Sequence, residues 1–388
     1  MRQDVEAVTV TARDGRRLAG LYLAAPAPRG ALVLNSATGF PREFYLKFAQ
    51  YCAARGYGTL LYDYRGIGGS LRPPLAGESA RMSEWGRLDM PAALDWLAQR
   101  FAPLPLTITA ADGRELAALL LEARAVRVRG ALAVNGATGF KREFYLKFAG
   151  YCAQRGYHTL VYDYRGIGSS LHTPLEAERA RMSEWGRLDM PAALEALAQR
   201  FPHLPLYTLG HSVGGQLIGC MPNQARARAH VLIAVWTGYW RRQRVPFRYQ
   251  ALLFWKIYGP LMLRRRGYVP RGLLWTGASL PAGVFLQWRS WCLSAAPYGS
   301  RLDADLSDAG FAAVRAPLLA WGFSDDPIAT PAAVEALLVS YPNARIERRW
   351  THPAQAGVRA IGHHGFFAER HRDSLWAGAL DWLDTHGN

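Results

Sequence analysis

Lysine is nearly missing from this chain. Of 46 basic residues only four are lysine: Lys47, Lys141, Lys147 and Lys256. The formal charge of +16 would suit nucleic acid or an anionic membrane. Arginine in place of lysine, beside abundant alanine and glycine, has instead the look of a coding bias. The arginines are scattered, apart from Arg241-Arg242 with Arg244, and Arg264-Arg265-Arg266. Nucleic-acid binding is not expected. Cysteine is scarce too. Four in 388 residues make no disulfide framework. Cys52 and Cys152 fall at equivalent places on helical patterns, as buried thiols do. Met1-Arg2-Gln3-Asp4-Val5-Glu6 is polar and lacks a signal-peptide core. The apolar run 251–263 is broken by Lys256, Gly259 and Pro260 and is too short to span a bilayer. These absences lead to the expectation of a reduced, soluble, cytoplasmic protein. Half the residues are hydrophobic, enough for a sizeable core in one large or two modest domains.

The chain repeats itself once. Residues 30–101 and 130–201 differ at 16 of 72 positions. Tyr62-Asp63-Tyr64-Arg65-Gly66-Ile67-Gly68 returns as Tyr162-Asp163-Tyr164-Arg165-Gly166-Ile167-Gly168. Asp14-Gly15 and Asp112-Gly113 extend the likeness backwards. Two units are a tandem duplication, not a solenoid, which needs at least three. Each copy reads β-β-β-α-β-α. In the second, 106–110 and 115–122 form a hairpin around Asp112-Gly113, and 131–134 and 159–162 are short buried strands. Phe144, Phe148 and Tyr151 share one face of a helix over 142–155, which Gly156 stops. A further helix covers 187–201. Strands alternating with helices imply an α/β fold with a mostly parallel sheet.

After the second copy the sequence stops repeating. The apolar run Leu206-Tyr207-Thr208-Leu209 enters Gly210-His211-Ser212-Val213-Gly214, and a helical pattern follows. Gly-x-Ser-x-Gly between strand and helix is a nucleophile elbow, which holds a serine hydroxyl above the end of a parallel sheet. Strands at 230–235, 317–321 and 344–350 and helices from 331 and about 366 complete the pattern.

Residues 106–388 resemble the α/β-hydrolase superfamily. Besides the elbow, Asp163-Tyr164-Arg165-Gly166 through Ser170 resembles its Asp-x-Arg-Gly-x-Gly-x-Ser loop. Gly322-Phe323-Ser324-Asp325-Asp326-Pro327 resembles its acidic loop, and Ile361-Gly362-His363-His364-Gly365 its histidine loop. The nearest likeness is to serine hydrolases with an Asn-Gly-Ala-Thr-Gly loop, here residues 135–139. The resemblance implies an α/β-hydrolase fold with a cap over about 236–305. It divides the chain into a half-domain without a nucleophile, 1–105, and a complete hydrolase domain, 106–388.

It also implies Ser212 as nucleophile. A serine hydroxyl is a poor nucleophile unless a base adjoins it. His363 is the expected base, with His364 as its alternative and His211 less suited. Asp326 is the expected orienting acid; the adjacent Asp325 is the alternative. The oxyanion hole needs two backbone N–H groups, expected from Val213 and Ala137. No cofactor and no metal is called for. In the first copy Ser36 replaces Gly136, and glycine is the residue that admits close backbone approach. Together with chain continuity this favours the second copy as the one completing the catalytic sheet.

The aromatics of the cap would suit an apolar acyl or aryl group, or they simply pack cap on core. Its arginines could attract an anionic substrate or lipid surface. The first copy could dock as a pseudo-domain, form a homo-oligomer by pairing with another chain, or be the residue of a recent duplication. The leading expectation is a serine hydrolase cleaving a small-molecule carboxylic ester, thioester or amide through an acyl-enzyme. The rivals are an acyltransferase with the same triad and a non-catalytic binding protein on this fold.

Overall fold

A computed structural model describes residues 5–25, 30–71, 75–272, 274–295 and 310–386. It contains two compact units. The first runs through Pro103 and includes Ala123–Val128 and Gln154–Gly156; the second holds Leu104–Glu122, Arg129–Ala153 and everything from Tyr157. The boundary falls two residues before the expected one. Leu104 and Pro105 already pair with Leu120 and Leu119 across the hairpin.

In the first unit β1 (Val5–Thr11), β2 (Arg17–Leu23), β3 (Gly30–Leu34) and β4 (Tyr57–Tyr62) form a sheet of order β1-β2-β4-β3. Helices α1 (Leu46–Ala54) and α2 (Met90–Arg100) accompany it. Among the described residues β3 pairs only with β4, and it is partly exposed along its whole length.

The second unit repeats that arrangement and continues it. The equivalent elements are β5 (Leu104–Thr109), β6 (Glu115–Leu121), β7 (Gly130–Asn135), α3 (Leu146–Gln154), β8 (Tyr157–Tyr162) and α4 (Met190–Arg200). Next come β9 (Leu206–His211), α5 (Val213–Gln216) and β10 (Ala227–Ile233). The cap segment follows with α6 (Phe247–Leu253), a wider helical turn (Phe254–Tyr258) and α7 (Gly259–Arg266). It continues through the short pair β11 (Tyr268–Val269) and β12 (Leu280–Pro281) into α8 (Ala282–Leu293). Residues 296–305 of the expected cap lie outside the described residues. The chain closes with β13 (Leu318–Phe323), α9 (Pro331–Leu338), β14 (Ile346–Thr351) and α10 (Ala377–Asp384).

The large sheet has the order β14-β13-β10-β9-β7-β8-β6-β5. From β14 to β8 every pairing is parallel; β6 and β5 are antiparallel. β7 lies between β9 and β8 and is buried throughout, as a central strand of a parallel sheet must be. The second copy, not the first, therefore stands beside the elbow strand. Phe148 of α3 is fully buried, whereas its equivalent Phe48 is 54% exposed.

The Asp163–Ser170 loop is a brace. Asp163 accepts from the Arg142 and Ser169 amides at 2.8 and 2.9 Å. Arg165 joins buried Asp189 to Asp112 of the hairpin turn, with both Nε and Nη1 contacts at 2.7 Å. The first copy keeps the same brace through Arg65, Asp89 and Asp14. Its recurrence without an elbow marks it as part of the half-sheet's own architecture.

Candidate active site

Ser212 ends the elbow strand at φ +50°, ψ −115°, a backbone region that non-glycine residues rarely occupy. The strain is held by packing on both sides. The Ser212 N–H donates to the Ile233 carbonyl at 2.9 Å. A Cβ on Gly210 would strike the backbone of Gly214 and Gly215, and one on Gly214 would strike the Asn135 carbonyl. The glycines of the motif thus let α5 fold back tightly over β9 and against the loop after β7. Val213 occupies the first position of α5, where an N–H has no intrahelical acceptor.

Two distant loops converge on Ser212. His363 Nε2 lies 3.0 Å from Ser212 Oγ, and His363 Nδ1 lies 2.7 Å from Asp326 Oδ2. Ser212, His363 and Asp326 are all buried. Asp326 Oδ1 accepts from the Ile328 and Ala329 amides at 2.7 and 3.0 Å. Burial pushes its carboxyl pKa up, but the His363 charge and hydrogen bond and these two amides outweigh it, leaving the pKa below the ordinary carboxylate value. Asp325 has a different task. Its oxygens accept from the Ile361 and Gly362 amides at 2.8 and 3.0 Å, pinning the loop that carries His363.

The other two histidines stand apart from the serine hydroxyl's hydrogen bond. His364 is exposed and its ring lies 4.6 Å from that of Phe140. His211 is fully buried. Its Nε2 meets the His363 carbonyl at 3.0 Å and its Nδ1 meets Tyr145 Oη at 3.0 Å. A carbonyl only accepts, so Nε2 carries the proton and Nδ1 accepts from the tyrosine. Burial, and then the neighbouring His364 and His363, hold the His211 pKa well below its ordinary value. His211, His363 and His364 have ligand atoms within 4.8 Å of one another. With both ring nitrogens of His211 and of His363 committed, they do not make a ready metal set.

The structure corrects one expected oxyanion donor. The Ala137 N–H is not free: it donates to Tyr145 Oη at 2.7 Å. The same bond joins Ala37 to Tyr45 at 2.9 Å in the first copy, where no elbow exists, so it belongs to the half-sheet itself. Tyr145 thus links the loop after β7 to His211 and onward to the His363 backbone. The sequence carried one signal for it, the recurrence of Arg-Glu-Phe-Tyr at 42–45 and 142–145. Asn135 accepts from the Tyr162 hydroxyl at 2.7 Å, while its buried Nδ2 has no partner among the described residues.

The cap reaches this loop. The Ala278 N–H donates to the Gly139 carbonyl at 2.8 Å, and a Cβ on Gly139 would strike Trp275. Phe254, Trp255, Trp275, Phe285 and Trp288 pack on one another, with ring centroids between 4.5 and 6.3 Å apart.

A mostly parallel sheet with a strained serine between strand and helix, met by a histidine and an acid from later loops, is the arrangement of the α/β-hydrolase fold. Residues 128–267 match the serine aminopeptidase S33 family. A soluble variant of monoglyceride lipase from Saccharomyces cerevisiae superposes with a TM-score of 0.54 at 15% identity, covering 74% of this chain and 96% of that one. An esterase from Pyrococcus furiosus superposes with a TM-score of 0.50 at 12% identity, over 74% and 93% of the two chains. No curated protein matches in sequence. The chain has the α/β-hydrolase fold, and residues 128–267 carry the family likeness.

Proposed function

We propose that this enzyme cleaves a carboxylic ester carrying an apolar acyl or aryl group, through an acyl-enzyme on Ser212. One observation carries the reading: the unbroken line from Asp326 through His363 to Ser212 Oγ, at 2.7 and 3.0 Å. His363 Nε2 takes the hydroxyl proton as Oγ attacks the ester carbonyl. The imidazolium that forms is stabilised by buried Asp326, whose carboxylate stays ionised. The Val213 N–H supports the alkoxide of the tetrahedral intermediate. His363 then protonates the leaving alcohol, and a water activated by the same nitrogen releases the acid. The likeness to an esterase and a monoglyceride lipase favours esters as the substrate class.

Treatment with a fluorophosphonate, followed by peptide mass spectrometry, tests the nucleophile. The expected adduct is on Ser212. A folded protein that carries none there would defeat the proposal.

We propose further that residues 104–388 suffice for activity. All eight strands of the large sheet come from this span. Deletion of residues 5–103 is expected to leave kcat/KM for a short-chain aryl ester within about threefold, a barrier change of under ~1 kcal/mol. A soluble, folded deletion protein without activity would assign the first copy a part in the site.

A further inference from the structure

The cap carries a charge pattern of its own. No aspartate or glutamate occurs from residue 196 to 302, while 236–302 contains eleven arginines and lysines. Within it, α6, the wider turn and α7 run as one helical stretch, 247–266. Twenty residues at 1.5 Å each make about 30 Å. Its inner face is set by Phe254 and Trp255, both buried. Its outer face is unusual. Tyr249, Leu253, Ile257 and Leu261, one per turn, are 54%, 43%, 60% and 40% exposed. Lys256, Arg264, Arg265 and Arg266 of the same stretch are also exposed.

A helix of a soluble protein normally turns its apolar stripe inward and its polar face to water. This one buries one apolar stripe and shows a second to solvent, flanked by cations. Each feature points to the same partner. A straight apolar row fits the plane between headgroups and acyl chains, where an amphipathic helix beds its apolar residues a few ångströms deep. Tyrosine favours that boundary. Arginine and lysine can lay their stems along the apolar row and lift their charges to the headgroups. The stretch itself carries no acid to oppose a negative surface, although Glu176 of another segment lies beside Gly267 at its end. No helix among the described residues is long and apolar enough to cross a membrane, so the contact would be peripheral.

We propose that the outer face of residues 247–266 docks the cap on an anionic lipid surface. The proposal is independent of the catalytic reading. Sedimentation of the full chain with vesicles tests it. Vesicles of equal parts phosphatidylcholine and phosphatidylglycerol should carry the protein down at low salt, with binding falling as salt rises. Pure phosphatidylcholine should bind it far less. Leu253→Ser and Ile257→Ser should each weaken partition about tenfold. Arg264→Gln, Arg265→Gln and Arg266→Gln should weaken it about fivefold each. Arg228→Gln, at the amino-terminal end of β10, the end opposite the one from which the cap segment leaves the strand, should change nothing. All these positions are exposed or partly so, and unchanged thermal melts would show that the variants fold. Failure to sediment with the mixed vesicles at low salt would overturn the proposal. So would binding unaffected by both sets of cap substitutions. Binding to an oligonucleotide without binding to vesicles would reassign the face to polyanions, and self-association abolished by the serine variants without vesicle binding would reassign it to a second copy.

Discussion

Ser212→Ala is expected to lower kcat by about a millionfold, the scale on which removing such a nucleophile acts. The size of the effect follows from the wiring. His363 Nε2 faces Oγ alone, and no other hydroxyl is described as a partner of that nitrogen. With Oγ gone, His363 can at best direct a water. Fluorophosphonate labelling should vanish in the same variant, while the thermal melt should hold or rise. The strained φ of +50° at this position is there for the hydroxyl's placement, and alanine bears it no worse than serine. A variant that keeps a tenth of the activity would move the nucleophile elsewhere.

Asp326→Asn is expected to cost about ten thousandfold in kcat with little change in KM. An amide in place of the carboxylate offers a donor to Nδ1 and favours the wrong imidazole tautomer. It also removes the charge that stabilises the imidazolium. Asp325→Asn serves as the contrast. It weakens the clasp on the Ile361 and Gly362 amides, about 2 kcal/mol for a hydrogen bond to a charged group. That should appear as a lowered melting temperature, with kcat reduced by no more than about tenfold. Comparable losses in the two variants would remove the distinction between the neighbours. The acid limb of stability separates them as well. The folded pKa of Asp326 lies below its ordinary value of 3.8. Its contribution is therefore present above the unfolded value and is lost as pH falls through the folded one. Asp326→Asn should lack that part of the acid-induced loss, measured by urea midpoints across the acid range.

The elements of this fold are written locally. Leu206 to Leu209 before Gly210, and Phe148 with Tyr151 on one face of α3, specify strand and helix through period and turn chemistry alone. The elbow at Ser212 could be read as a strand–turn–helix pattern, whereas the histidine and acidic loops were expected only through their resemblance to the loops of the superfamily. The choice within the acidic loop was not legible. Asp325 and Asp326 are neighbours of identical chemistry, and only the path of residues 361–363 past them puts one beside an imidazole and the other beside two amides. Ala137 was misread because the acceptor of a backbone N–H cannot be seen along the chain. Tyr145 reaches it from a separate helical turn, eight residues on.

The duplication draws the same line most clearly. Phe48 and Phe148 sit in nearly identical sequences, yet one is exposed and the other buried. The sequence by itself determined that two like half-sheets would form, because each copy contains its own periodicity, turns and brace. Only the tertiary structure decided that β7, and not β3, pairs with the elbow strand. That pairing is a long-range contact shared by one strand β9 and two qualified partners, and local pattern carries no term for which of them it meets.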